Sequence, residues 1–129
     1  MQVRMIVLVA VILLPTSTSK LFAQSDKYDG IYIGLQTLSE APPGGNWAKC
    51  LRGPFKRRLV IKSGTAVYTY NPTYQGQVIG TVSADGDVVA SASTSSGGLS
   101  LAGKINGDDF TGEVWSLICT YSVQLRRSP

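Results

Sequence analysis

The sequence predicts an all-β domain, a small antiparallel up-and-down barrel of eight strands. Between Gln75 and Leu117 an apolar residue, a glycine and a second apolar residue recur at alternate positions, as in a strand with one buried face. The sequences DGD at 85–87 and NGD at 106–108 separate these runs, and such pairs are the strongest short-range signal for a hairpin. The stretch therefore predicts a meander of four antiparallel strands. Its repeats are Val78-Gly80-Val82, Leu101-Gly103-Ile105 and Phe110-Gly112-Val114.

Further strands flank the meander on both sides. The first places tyrosines and glycines on one face and Ile31, Ile33 and Leu35 on the other, so the pattern does not tell which face is inner. The third ends before Pro72, because proline cannot donate a hydrogen bond to a ladder. Residues 39–55 form the longest segment without a strand pattern. The predicted strands are 28–38, 56–62, 65–70, 76–83, 87–95, 98–105, 109–116 and 118–126.

Closure into a barrel follows from the short connections between these strands. Strands joined by tight turns usually pair with their sequence neighbours, and closing eight of them removes the exposed edges of an open sheet. Side chains fill the interior of so small a barrel. Inward glycines would let it bend and would leave room for a large side chain on the next strand. A two-sheet β-sandwich is the alternative.

The N-terminal residues 1–23 have the layout of a secretory signal peptide. A basic start is followed by the apolar run 5–14, which is too short to span a bilayer, and by a polar stretch of small residues. We expect cleavage after Ala23, with Ser19 as the alternative site and a retained anchor as the alternative fate. Cleavage after Ala23 leaves residues 24–129 as a single domain, periplasmic or secreted, with no stable membrane span. It also leaves ten basic and eight acidic side chains, which lowers the formal charge from +4 to +2.

Two cysteines, Cys50 and Cys119, are present, and export would expose them to oxidising conditions in which thiols pair. Two cysteines allow only one intramolecular disulfide. Their spacing does not match a CxxC redox or zinc motif, and the chain has no histidine to activate a free thiol. We therefore expect a disulfide that tethers the long loop.

The absence of histidine also excludes His-dependent triads, His-metal clusters and the usual general base. The acidic pairs Asp85 with Asp87 and Asp108 with Asp109 lie at predicted hairpin turns, where aspartate is favoured for its local backbone bonds. The spacing of an EF-hand is missing. We expect no enzyme activity, no cofactor and no metal site.

Basic and aromatic side chains are the remaining candidates for a binding site. Lys56, Arg57 and Arg58 could form an anion-binding rim, although a charge near +2 is low for a nucleic-acid binder, and a solvated surface is the alternative. Aromatic residues could line one end of the barrel, where ligands commonly bind, or could pack into the core. The candidate ligand-binding residues are Trp47, Lys49, Arg52, Arg57, Tyr70, Tyr74 and Trp115.

The segments YDGIYIG at 28–34, GTVSADG at 80–86, LAGKI at 101–105, FTG at 110–112 and CTY at 119–121 together resemble a group of small exported proteobacterial proteins. Members of that group begin with a YDGxYxG-like strand and continue through FxG and LxGxI strands. The resemblance covers nearly all of the chain after the signal peptide. It implies export and an all-β architecture, and it implies no activity and no site residues.

A looser, fold-level likeness extends to periplasmic barrel inhibitors and to lipocalin-like or avidin-like barrels, although the first strand lacks the full tryptophan signature of lipocalins. Fold analogy does not establish function. Three hypotheses follow: a binding or inhibitor module for another protein, a small-ligand carrier with an internal cavity, and a structural envelope protein. The expected partner is a protein or small molecule in the periplasm or outside the cell.

Overall fold

In the computed structural model, eight antiparallel strands follow one another in sequence order around a closed barrel. The structure describes residues 26–40, 50–71, 76–94, 97–116 and 119–129, so the predicted signal peptide lies outside the described residues. A 3-10 helix, Asp26–Tyr28, precedes the first strand. The strands are β1 (Gly30–Glu40), β2 (Phe55–Lys62), β3 (Thr65–Asn71), β4 (Gly76–Val82), β5 (Asp87–Thr94), β6 (Gly97–Asn106), β7 (Asp109–Trp115) and β8 (Thr120–Arg127).

The predicted up-and-down barrel is confirmed, and the sandwich alternative is excluded, because β1 pairs with both β2 and β8. The predicted meander is also found, as β4 to β7. The predicted strand ends differ from the observed ones by at most two residues. At the start of β1 the prediction was wrong because Tyr28 belongs to the 3-10 turn, which the Asp29 N–H closes by donating to the carbonyl of Asp26 at 3.0 Å. The Tyr28 hydroxyl donates to the carbonyl of Ala84 at 3.0 Å, so the turn is tied to the β4–β5 connection.

The tyrosine-and-glycine face of β1 is the inner one. Tyr32 is fully buried there, whereas Ile31, Ile33 and Leu35 point outward and are 37%, 38% and 50% exposed. The interior is filled by large side chains from every part of the circumference. Those with almost no exposed surface are Tyr32, Tyr68, Phe110, Leu59, Ile61, Leu101, Gln36, Val78, Val88, Val114 and Val123.

Inward glycines lie where the backbone or a ring of the next strand comes close. A Cβ at Gly80 would overlap the carbonyl oxygen of Val89 on β5. A Cβ at Gly103 would lie 2.6 Å from Cζ of the Phe110 ring on β7. These glycines therefore make room for a neighbouring backbone and for a large neighbouring side chain.

One end of the barrel, here called the Arg127 end, carries the turns at 63–64, 83–86 and 107–108. The Arg127 guanidinium donates from Nε to Asp108 Oδ1 at 3.0 Å and from Nη2 to the carbonyl of Gly107 at 2.9 Å. Its Nη1 donates to the carbonyls of Lys27 and Asp29, at 3.1 and 3.2 Å. A single arginine thus ties the 3-10 helix, the β6–β7 turn and the end of β8 together.

The opposite end, here called the disulfide end, contains the Cys50–Cys119 disulfide, with a Cα–Cα distance of 5.9 Å. The predicted pairing is confirmed. It joins the chain just before β2 to the start of β8, and both cysteines are buried. A disulfide is compatible with an extracellular or periplasmic location. Within the described ranges, no helix is long and apolar enough to cross a membrane.

Removing the disulfide should destabilise the fold. The link spans 69 residues, and a loop of that length restricts the unfolded chain enough to stabilise the folded state by roughly 4 kcal/mol. We expect the double variant Cys50→Ser/Cys119→Ser to lose about that much free energy of unfolding in guanidinium titrations. Reductant should lower the midpoint of the wild type and leave that of the double variant unchanged. Equal stability of the two proteins would contradict this expectation.

Gly80→Ala should destabilise the barrel, because the added methyl group overlaps the β5 backbone. We expect a loss of about 1 to 3 kcal/mol of unfolding free energy, measured by chemical denaturation. Gly98→Ala is the matched control, since a Cβ at Gly98 meets nothing within 4 Å. Equal effects of the two substitutions would show that close approach at Gly80 is not the constraint.

Candidate functional site

Arg57 points into the barrel. It shares the inner face of β2 with Leu59 and Ile61, which are buried, whereas Lys56 and Arg58 lie on the outer face and are exposed. The three cations therefore do not form one rim, because alternate residues of a strand point to opposite faces. Arg57 is half-buried, and it lines one surface groove together with Lys56 and Arg58.

Only some of the hydrogen-bond donors of the Arg57 guanidinium have a partner. Its Cζ lies 4.9 Å from the centroid of the Phe55 ring, within the range of a cation–π contact. Its Nη1 donates to the carbonyl of Lys56 at 2.9 Å. Its Nε is buried and has no hydrogen-bond partner, the one buried side-chain N or O atom in this condition among the described residues. An unsatisfied donor of this kind costs free energy and requires an explanation.

Gln36 and Tyr68 lie beside Arg57. Gln36 is on β1, paired with Phe55 of β2 on one side and with Val123 of β8 on the other. It is only 1% exposed, and its Oε1 accepts a hydrogen bond from the Tyr68 hydroxyl. Because its oxygen is occupied, the amide presents its NH2 group as a donor.

Two further tyrosines complete the group. The rings of Tyr70 on β3 and Tyr121 on β8 meet edge to face, with centroids 6.3 Å apart and planes at 72°. The positive charge of Arg57 acts on the pKa values of both Tyr68 and Tyr121. We call this group the Arg57 cluster: Gln36, Phe55, Arg57, Tyr68, Tyr70 and Tyr121.

The tyrosines of the cluster cannot serve as counter-ions for Arg57 at neutral pH. Burial raises the pKa of Tyr68 above its ordinary value, and the Arg57 charge offsets this only in part. Burial, followed by the neighbouring Tyr70, raises the pKa of Tyr121 from 10.0 to about 12. Both side chains are therefore neutral phenols that can donate hydrogen bonds.

Acidic side chains collect at the other end of the barrel. Six of the eight carboxylates of the chain lie in the segments that form the Arg127 end. Among the described residues the ion pairs are Lys104–Asp87 at 3.9 Å, Arg126–Asp109 at 3.2 Å and Arg127–Asp108 at 3.0 Å, and none includes Arg57. The six are Asp26, Asp29, Asp85, Asp87, Asp108 and Asp109.

The candidate residues named from the sequence fall into three groups. Arg57 and Tyr70 meet in the cluster. Arg52 is exposed in the segment between Cys50 and β2, and Trp115 is 39% exposed on the outer face of β7. Trp47, Lys49 and Tyr74 lie outside the described residues.

Sequence reasoning missed the other cluster members: Gln36, Phe55, Tyr68 and Tyr121. For Phe55 and Arg57 a signal existed, because both have the parity of the apolar Leu59 and Ile61 in β2. Gln36 and Tyr68 gave no such signal, since their contact depends on how β1, β2 and β3 are aligned.

The outer surface carries a second feature, an apolar row. Ile31, Val60, Val67 and Ile79 are successive register partners across β1 to β4, and Ile79 is 55% exposed. A surface groove of about 330 Å³ beside it is lined by Ile33, Lys56, Arg57, Arg58 and Thr69.

Comparisons with protein-family models, with the curated proteins and with the solved structures found no match for this chain. The geometry of the site is therefore the basis for its interpretation. In the described part of the chain, no group of three or more histidine, cysteine or acidic side chains is placed to hold a metal ion.

Stability should fall in alkali as the buried tyrosines ionise. The pKa of Tyr121 is raised in the folded protein, so its contribution is fully present below about pH 10 and is lost as the pH approaches about 12. We expect absorbance at 295 nm to show tyrosines that ionise only above pH 10, and denaturant midpoints to fall over the same range. In Tyr121→Phe the denaturant midpoint should fall less over the same pH range. An identical pH dependence in the variant would contradict the assignment.

Proposed function

We propose that this protein is an exported binding module that holds its ligand at the disulfide end of the barrel, against the Arg57 cluster, without chemistry of its own. The observation that carries the proposal is the inward Arg57 with its unpaired Nε. Arg57 is half-buried, and its buried Nε has lost contact with water without gaining a hydrogen bond, which costs free energy. A leucine or methionine at this position could pack on Phe55 without that cost, so the arginine is better explained by a ligand than by packing.

The filled interior limits where a ligand can lie. Tyr32, Leu59, Phe110 and Leu101 are fully or almost fully buried in the body of the barrel. A lipocalin-like carrier that encloses its ligand deep in the barrel is therefore less well supported than a site at one end. Both a small molecule and a segment of another protein remain candidate ligands, and the second would include an inhibitor function.

Export is part of the proposal. It rests on the predicted signal peptide, on the resemblance to small exported proteobacterial proteins and on the disulfide, which suits an oxidising compartment. The absence of histidine supports a function without catalysis.

Arg57→Gln should abolish ligand binding, whereas Arg58→Gln should not. The two arginines are neighbours in sequence, but only Arg57 faces inward. We would screen the oxidised protein by thermal shift against sugars, lipids, haem-like compounds, polyanions and divalent metals, since a ligand that binds only the folded state raises Tm. A hit should raise the Tm of the wild type and of Arg58→Gln, and leave that of Arg57→Gln unchanged.

An equal shift in all three proteins would place the ligand elsewhere and contradict the proposed site. The structural envelope protein is the alternative that the outer apolar row supports. It predicts self-association without any ligand, which sedimentation velocity on the same samples would detect.

A further inference from the structure

We propose that the chemical group bound at the Arg57 cluster is a carboxylate carried on an apolar, ring-bearing body. This inference rests on the proposed binding function and adds the class of ligand. It follows from which donors of the cluster are already used, from the charge they carry together and from the side chains beside them.

The guanidinium is held in one orientation with one edge unused. Nη1 is occupied by the carbonyl of Lys56, and the Phe55 ring lies against the guanidinium. Nε is buried without a hydrogen-bond partner, and it lies on the same edge of the guanidinium as Nη2. Two parallel N–H groups on one edge match the two oxygens of a carboxylate, which arginine binds in a bidentate manner.

Gln36 offers a further donor, because Tyr68 occupies its oxygen and leaves its NH2 group. The Tyr121 hydroxyl is hydrogen-bonded to Tyr70 and to the backbone of Leu51, which fixes its position. An ionised carboxylate is an acceptor only, so it complements such a site, whereas an amide or an amine would bring donors of its own.

The charge of the cluster fits a monoanion. Arg57 is its only cation, and the neighbouring Lys56 and Arg58 lie on the outer face of β2. A phosphate monoester carries close to two negative charges at neutral pH, so one guanidinium would leave part of that charge uncompensated. A carboxylate is neutralised by one arginine.

Aromatic side chains belong to the same cluster. Phe55 and Tyr70 are partly buried and pack against the core, and the Phe55 ring lies against the guanidinium. The edge-to-face pair of Tyr70 and Tyr121 adds ring surface. A ring or a branched chain attached to the carboxylate would bury apolar area there. Small carboxylic acids and the C-terminal carboxylate of a peptide both have this chemistry.

The test is a ¹H–¹⁵N correlation spectrum of the oxidised protein, in which arginine Nε–H groups give their own signals. The small-molecule probes are 3-phenylpropionate, its neutral amide and the phosphate ester of 3-phenylpropanol. The peptide probes are a tripeptide ending in phenylalanine, with a free or an amidated C-terminus. We expect the free acids to shift the Arg57 Nε–H signal, and the amides to leave it in place.

Three variants test whether binding of the acids depends on Arg57. Arg57→Gln should weaken binding of the acids by about thirtyfold or more, because it removes one partner of a hydrogen-bonded charge pair. Arg57→Lys keeps the charge but loses the planar fork, so its affinity should lie between those of Arg57→Gln and the wild type. Arg58→Gln should bind as the wild type does. The dispersion of each spectrum shows whether the variant is folded, and the acid–amide comparison in the wild type needs no variant.

The outcomes distinguish failure of the carboxylate assignment from failure of the proposed binding site. Binding of 3-phenylpropionate alone, or of the free peptide alone, supports the carboxylate and identifies its source. Binding of the amides or of the phosphate ester as tightly as the acids, with shifts at cluster residues, overturns the carboxylate and leaves the binding site standing. If no probe shifts a cluster signal, the carboxylate is rejected. If the wider thermal-shift screen then also finds no Arg57-dependent ligand, the proposed function is rejected with it.

Discussion

The pairing of β1 with β8 is the interaction on which the rest of this structure depends. It closes the sheet, with Tyr32 opposite Arg127 and Leu38 opposite Tyr121. Closure removes both edges of the sheet, so the side chain of each strand residue points either into the barrel or out to its surface. The inside is small, and the Phe110 ring fits there because the next strand offers Gly103 beside it. Close packing of rings against backbone is thus a consequence of closure.

Each end of the barrel has an arginine, and the two arginines differ in how completely they are hydrogen-bonded. Arg127 donates to four oxygens and lies over Tyr32, with its Cζ 5.3 Å from the ring centroid. Arg57 lies over Phe55 in a similar manner, yet it donates to one carbonyl and leaves a buried Nε unpaired. The first arrangement is complete without any other molecule. The second becomes complete only when an acceptor is supplied, which distinguishes a structural arginine from a candidate ligand-binding one.

The sequence predicted what depends on local pattern: the eight strands, their order, the hairpin turns and the disulfide. It did not decide the inner face of β1, because Ile33 and Tyr32 are both suitable for burial and only the alignment with β8 separates them. The cluster was predicted only through Arg57 and Tyr70. The contact between Gln36 and Tyr68 joins strands that are not neighbours in the sheet, so no local alternation reveals it.

The register of β1 carries an implication for the site. A slip of one residue would bring Ile33 and Leu35 inside and put Gln36 outside, which would increase the apolar area buried. Gly34 opposes that slip, because it lies against the carbonyl of Gln124 where a larger residue would overlap the β8 backbone. The close approach of β8 therefore holds Gln36 in the interior beside Arg57. The polar layer is built into the closure of the barrel, so its side chains are held in place without a ligand, which would lower the entropic cost of the proposed binding.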